Sequence, residues 1–201
     1  MSFNIFGTSR PSLCDGPAAQ DFLDRNAAFV SQKAIFEYSR AAAGYLWQPL
    51  FSEAQFKEAL ERSRWLAYPR GVVLVAEVME GILRADASDQ AALLSGFQRL
   101  AQAVFATHEP RGVTPEEWSD LTSASVEQIG RFQVRPVQAV KDISSNLAEE
   151  IFAILPLHEK VRGRDPILLR NNITANLLQV HKDFNEQAVK SGLARAVAAF
   201  T

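Results

Sequence analysis

A chain of 201 residues, 47% of them hydrophobic and with a formal net charge of −2, has the size and apolar content of one ordinary domain with a sizeable core. That balance excludes a mainly disordered chain, which goes with low apolar content and high net charge. It also argues against a nucleic-acid partner, because such domains carry a basic face.

Residues 1–17 hold Gly, Pro, Ser and Asn without apolar periodicity and read as a flexible N-terminal tail. They lack a basic segment followed by an apolar run, so no secretory signal is expected. From Ala18 a helical pattern begins and is expected to reach Trp47, with Pro49 stopping it. Phe22, Phe29 and Phe36 recur every seven residues, flanked by Leu23 and Val30, and give this helix a broad apolar face for the core. Ser52 with Gln55 three residues later has the form of a capping box opening a second helix. Phe56 and Leu60 would face inward there, with Glu53–Lys57 and Glu58–Arg62 as outward i,i+4 pairs.

The segment from Pro69 to Arg84 is apolar nearly all round and is expected to be a centrally buried helix. Its run Val72-Val73-Leu74-Val75 also suits a strand, but no second strand-like run exists to satisfy its backbone. The same run is too short to cross a bilayer and carries Glu77 and Glu80, so no membrane contact is expected. A helix from Ser88 to His108 follows, with Leu93, Phe97, Leu100 and Val104 on one face. Thr114, Pro115 and Glu117 form a cap for the next helix, which presents Trp118, Leu121 and Ile129. Pro136 is expected to open an amphipathic helix through Val140, Ile143, Leu147, Ile151 and Ile154, ended by Pro156. The last long helix is expected to start at Pro166 with Asp165 as N-cap and to carry Leu169, Ile173, Leu177, Val180 and Phe184 inward. Ser191-Gly192 would interrupt it before a final helical piece. The pattern therefore predicts an all-α, single-domain bundle of about seven helices over residues 18–201, without significant β-sheet.

Chemistry-bearing residues are sparse. Cys14 is the only cysteine, so no disulfide or paired-cysteine site exists, and a reducing cytoplasm is expected. His108, His158 and His181 lack any spacing that places two ligands on one helix face, so no metal or cofactor is expected. Glu77 and Glu80 share a face of the most apolar helix, a pattern that serves acid–base chemistry when buried, although Glu80 can pair with Arg84. RSRWLAYPR interleaves Arg62, Arg64 and Arg70 with Trp65 and Tyr68, the composition of an interface. In GRDPILLRNN, Arg162, Arg164 and Arg170 surround a helix start that would suit an anion, except that Asp165 and Pro166 occupy the groups it needs. Arg170 with Asn171 and Asn172 remains the place to expect a polar site, the asparagines bonding neighbouring loops.

No nucleophile elbow, phosphate loop or dinucleotide fingerprint occurs. The first expectation is a protein of adaptor or regulatory type, a homo-oligomer, most simply a homodimer, with a possible further protein partner, using Trp47, Trp65, Tyr68 and Trp118 as its interface. The alternative is a helical bundle, enzymatic or not, that binds a small anionic or amphipathic ligand through Arg170, Asn171, Asn172, Glu77, Glu80 and His181. A pocket enclosing two of those polar groups would favour the alternative, and a flat patch around the tryptophans the first.

Overall fold

A computed structural model describes residues 12–143, 145–163 and 166–201 of the chain. The fold is all-α; among the described residues no strand forms, and an isolated bridge joins Leu13 to Ala188. The elements are α1 (Gly16–Ala43), α2 (Trp47–Ser52), α3 (Ala54–Leu83), α4 (Gln90–Ala106), α5 (Pro115–Ile129), α6 (Val140–Ile143), α7 (Ser145–Ala153), α8 (Glu159–Arg162), α9 (Ile167–Gln187) and α10 (Lys190–Ala198). No helix among the described residues is long and apolar enough to cross a membrane.

α1 begins at Gly16, two residues earlier than the apolar pattern suggests, because the Asp15 carboxylate accepts from the Ala18 N–H at 2.8 Å. It ends at Gly44 rather than Trp47, where a positive φ of 56° turns the chain out of the helix. Pro49 is then no terminator. It sits in the first turn of α2, where its missing N–H would have had no partner. The seven-residue phenylalanine stripe is not all core: Phe22 is buried against Phe184, whereas Phe29 is 43% and Phe36 38% exposed. A strict seven-residue repeat drifts about 20° per step on a straight helix. Val30, Ala34 and Ile35 occupy the inward face instead.

Ser52 does not cap a helix start; its hydroxyl donates to the Pro49 carbonyl at 2.6 Å and closes α2. α3 follows from Ala54 and runs through Pro69, so the two helices expected on either side of that proline are one element of 30 residues. An internal proline costs a helix about 3 kcal/mol. Here burial offsets it: every residue from Val72 to Glu80 is buried, including the β-branched run that also suited a strand. The Arg70 guanidinium adds a bond to the Leu66 carbonyl, at 2.7 Å, beside the proline. α3 is thus the central post of the bundle, packed most extensively on α1 and also on α4, α5 and α9. Gly71 lets α1 and α3 close up, since a Cβ there would lie 2.7 Å from the Ala27 carbonyl oxygen.

α4 is capped by Asp89 and buries Leu93, Phe97, Leu100 and Val104. α5 is capped by Thr114, whose hydroxyl accepts from the Glu117 N–H at 3.2 Å. The helix expected from Pro136 starts only at Val140, because residues 135–139 are held out as a connector by α3, as described below. Expected caps at Asp165 and contacts of Arg164 lie outside the described residues, as does most of the tail, 1–11. α9 starts at Ile167 and carries its predicted inner stripe, Leu169 to Phe184, fully inward. Ser191-Gly192 lies inside α10; the break comes earlier, at Ala188–Val189. There Leu13 N–H donates to the Gln187 carbonyl and Val189 N–H to the Leu13 carbonyl, both at 2.9 Å, which pulls two residues out of helix.

Candidate functional site

The GRDPILLRNN stretch resolves into structural bonds. Arg162 is spent on the C-terminal end of α7, donating to the Phe152 and Ala153 carbonyls at 3.4 and 3.1 Å while its guanidinium lies 5.1 Å from the Phe152 ring centre. Arg170 reaches Glu149 at 3.3 Å. Asn172 donates to Glu37 at 3.0 Å and accepts from Asn176 at 3.0 Å, so it bonds helix α1, not a loop. Asn171 is exposed on α9. Arg170 and Asn172 therefore bond different neighbours, and Asn171 faces outward.

Glu77 and Glu80, one turn apart on α3, meet opposite fates. Glu80 is fully buried, yet Arg84 grips it through Nε and Nη2 at 2.7 to 3.1 Å, and Gln133 adds a bond at 2.9 Å. Arg84 also donates to the carbonyls of Phe132 and Arg135, at 3.2 and 3.0 Å, so this buried pair staples the connector to α3. All of its capacity is used, as a buried charge requires.

Among the described residues Glu77 accepts only from Arg135, at 2.7 Å through Oε1. Burial pushes its carboxyl above the ordinary range, against the opposing pull of Arg135. It forms part of the wall of a cavity of about 260 Å³ between α3, the connector, α9 and α10, together with Gln138, His181, Asn185 and Lys190. Val78, Ile82, Val140 and Ile143 supply an apolar lining. Two of the residues singled out by sequence, Glu77 and His181, thus meet. Gln138, Asn185 and Lys190 were missed, although Asn185 lies four residues after His181 and so shares its helix face.

Of the aromatics expected to form an interface, Tyr68 is buried and Trp47, Trp65 and Trp118 are half-buried. Tyr68 is 3% exposed and stacks on Trp118 at an interplanar angle of 17°, with Trp65, Phe105 and His108 around them. Trp65 is half-buried and its Nε1 donates to Glu61 at 3.0 Å. Trp47 belongs to a separate group with Phe51, Phe36 and Phe56. These four residues do not make one exposed patch.

Behind the Trp65 cluster lies a polar triangle that sequence reasoning missed. Tyr68 donates its hydroxyl to Asp24 Oδ1 at 2.6 Å, His108 Nε2 lies 2.9 Å from the same oxygen, and Tyr68 Oη lies 3.0 Å from Nε2. Burial first, then the bond and charge of Asp24, push the phenol well above its usual range, so it keeps its proton. Asp24 and His108 are separated by 84 positions. No local spacing announces such a contact.

Among the described residues no group of three or more His, Cys, Asp or Glu side chains is placed to hold a metal ion. His158 caps α8, and Cys14 is free and exposed. No protein-family model matches this chain, and neither the curated proteins nor the solved structures contain a significant match to it.

Proposed function

We propose that this protein is a helical bundle that binds a small anionic ligand with an apolar body, a carboxylate being the simplest, in the cavity lined by Glu77 and His181. The carrying observation is convergence: the side chains of Gln138, His181, Asn185 and Lys190, from the connector, α9 and α10, have no hydrogen-bond partner among the described residues, yet line one cavity. Ligand sites combine apolar walls with a few convergent polar groups. Glu77 is already balanced by Arg135, so Lys190 leaves the cavity with an excess positive charge for an anion to meet. The adaptor reading depended on the tryptophans as exposed anchors, and the inward packing of Trp65 and Trp118 supports it less. The single cysteine favours a reducing compartment, and we place the protein in the cytoplasm on that ground.

The test is isothermal titration of the full chain with glutarate, adipate and benzoate, followed by thermal melts. At least one should bind and raise the melting temperature, as any ligand selective for the native state must. Lys190→Ala and His181→Ala should weaken binding about tenfold or more. Binding by none of the three probes, or binding indifferent to both substitutions, sinks this site.

A further inference from the structure

We infer that the Asp24–His108–Tyr68 triangle is the proton-transfer centre of a second site, a groove between α1 and α3 that hydrolyses an ester whose acyl chain ends in an anionic group. This inference does not depend on the Glu77–His181 cavity.

The first argument is about protons. An ionised carboxylate only accepts, and Tyr68 has a single proton, which its 2.6 Å bond directs to Asp24. For His108 Nε2 to lie 2.9 Å from the same carboxylate oxygen, Nε2 must carry a hydrogen, since two acceptors would repel. In the neutral ring the lone pair is then on Nδ1. No hydrogen bond among the described residues uses Nδ1. Asp24 thus fixes the tautomer and supports the positive charge that forms when Nδ1 takes a proton, the arrangement of a general base with its positioning carboxylate. Trp65 and Tyr68, with ring centres 5.6 and 5.0 Å from the imidazole, hold its plane.

The second argument is about access. His108 and Tyr68 wall a cavity of about 110 Å³ with Ala28, Ser31, Gln32, Arg64 and Trp65. Gln32 and Arg64 also line a neighbouring groove of about 290 Å³, floored by Ile35, Phe36 and Leu60 and flanked by Lys57 and by Glu61, whose carboxylate is paired with Arg64 at 2.6 Å, so that among the described residues Lys57 is the groove's unpaired charge. The base therefore sits at the inner end of an amphipathic channel. Lys57 lies seven residues before Arg64 on α3, a rise of about 10 Å. It has no ion pair among the described residues, so an anion at the far end of a medium-length acyl chain would meet a free cation.

The third argument is about the reaction. The Ser31 hydroxyl donates to the Ala27 carbonyl at 2.6 Å and is buried, so water is the nucleophile. His108 Nδ1 takes a proton from water as its oxygen bonds the carbonyl carbon. The Gln32 amide, with the Arg64 guanidinium that Glu61 holds at 2.6 Å beside it on the cavity wall, is the donor for the developing oxyanion. The carbon–oxygen bond to the alcohol then breaks, and the proton on Nδ1 passes to the leaving oxygen. One ester and one water give one acid and one alcohol.

The experiment measures release of para-nitrophenol from the para-nitrophenyl monoester of suberic acid and from para-nitrophenyl octanoate, using the full chain. The suberate ester should be hydrolysed above background, with kcat/KM about tenfold above the neutral ester, and Lys57→Ala should erase that preference. His108→Gln should lower kcat at least 100-fold, within the range for a lost general base. His108→Gly should regain turnover on addition of imidazole, which separates lost chemistry from lost fold. Asp24→Asn should lower kcat with KM little changed, because the imidazole loses the partner that fixes its tautomer. Absence of turnover in the wild-type chain, or turnover undiminished in His108→Gln, overturns the centre. Equal preference for the two esters overturns the substrate class.

Discussion

At the scale of single residues the sharpest contrast is between two carboxylates on adjacent turns. Glu80 has every lone pair occupied, and removing it would strand Arg84 and Gln133 against the connector. Glu80→Ala should therefore cost about 3–5 kcal/mol, read from urea midpoints, because breaking a buried pair leaves a buried charge alone. Glu77 behaves differently. Its folded-state pKa is raised by burial above the ordinary value near 4.5, so the folded protein binds this proton more tightly than the unfolded chain. The stability tied to that proton is fully present below pH 4.5 and is lost as pH rises through the folded value. Glu77→Gln should abolish that decline, leaving the variant at least as stable as the wild type at pH 7. A loss of stability equal at all pH values would contradict this account.

Glu117 has the opposite sign. Hydrogen bonds from Arg62, at 2.7 and 2.9 Å, hold its carboxyl below the ordinary range. Its contribution is present above the ordinary value near 4.5 and disappears as pH falls through the lower folded value. Both side chains are more than a third exposed, so Glu117→Gln should cost under about 1 kcal/mol at neutral pH and nothing in strong acid.

At the scale of elements, close approach of backbones sets the tolerances. A Cβ at Gly96 of α4 would lie 2.0 Å from the Val197 carbonyl oxygen of α10. Alanine has the better helix propensity by about 1 kcal/mol, yet Gly96→Ala should destabilise by about 1–3 kcal/mol because α10 must be pushed away. A thermal melt showing equal or greater stability would refute that packing.

The same scale explains what could be read from residue order. The inner faces of α4 and α9 follow from 3.6-residue periodicity, and the burial of Val72 to Glu80 from a segment that is apolar nearly all round. Boundaries failed where a distant partner decides them. Pro69 reads locally as a stop, but the apolar turns after it bury so completely that α3 continues. Ala188 and Val189 carry no breaking signal; Leu13, from the other end of the described chain, takes the Gln187 carbonyl and the Val189 N–H on either side of Ala188. Residues 135–139 stay out of helix where Glu77 and Arg84 bind Arg135 from the preceding α3 and Glu80 holds Gln133 just before them. The candidate sites follow the same rule. Glu77 and His181 stood out by residue type, whereas Asp24 pairs with His108 only through tertiary packing.

For the molecule as a whole, burial is graded from α3 outward. The core is a single cluster reaching from Leu13 to Val197, with α3 contributing its longest unbroken buried run. Native-state hydrogen exchange should find the slowest amides between Val72 and Leu83, opening only with global unfolding, and fast exchange in the four-residue helices α6 and α8. Comparable protection in α6 and α3 would show that this gradient is absent.

The two backbone bonds of Leu13 have a kinetic consequence. They join segments separated by nearly the whole described chain, so they close a very large loop at an entropic cost that is recovered only when the helices between are in place. This contact belongs late on the folding route. Leu13→Ala should leave the folding rate nearly unchanged and speed unfolding, giving a φ-value near zero. The Leu13 strap would then act as a brake on escape from the native state while contributing little to the speed of reaching it.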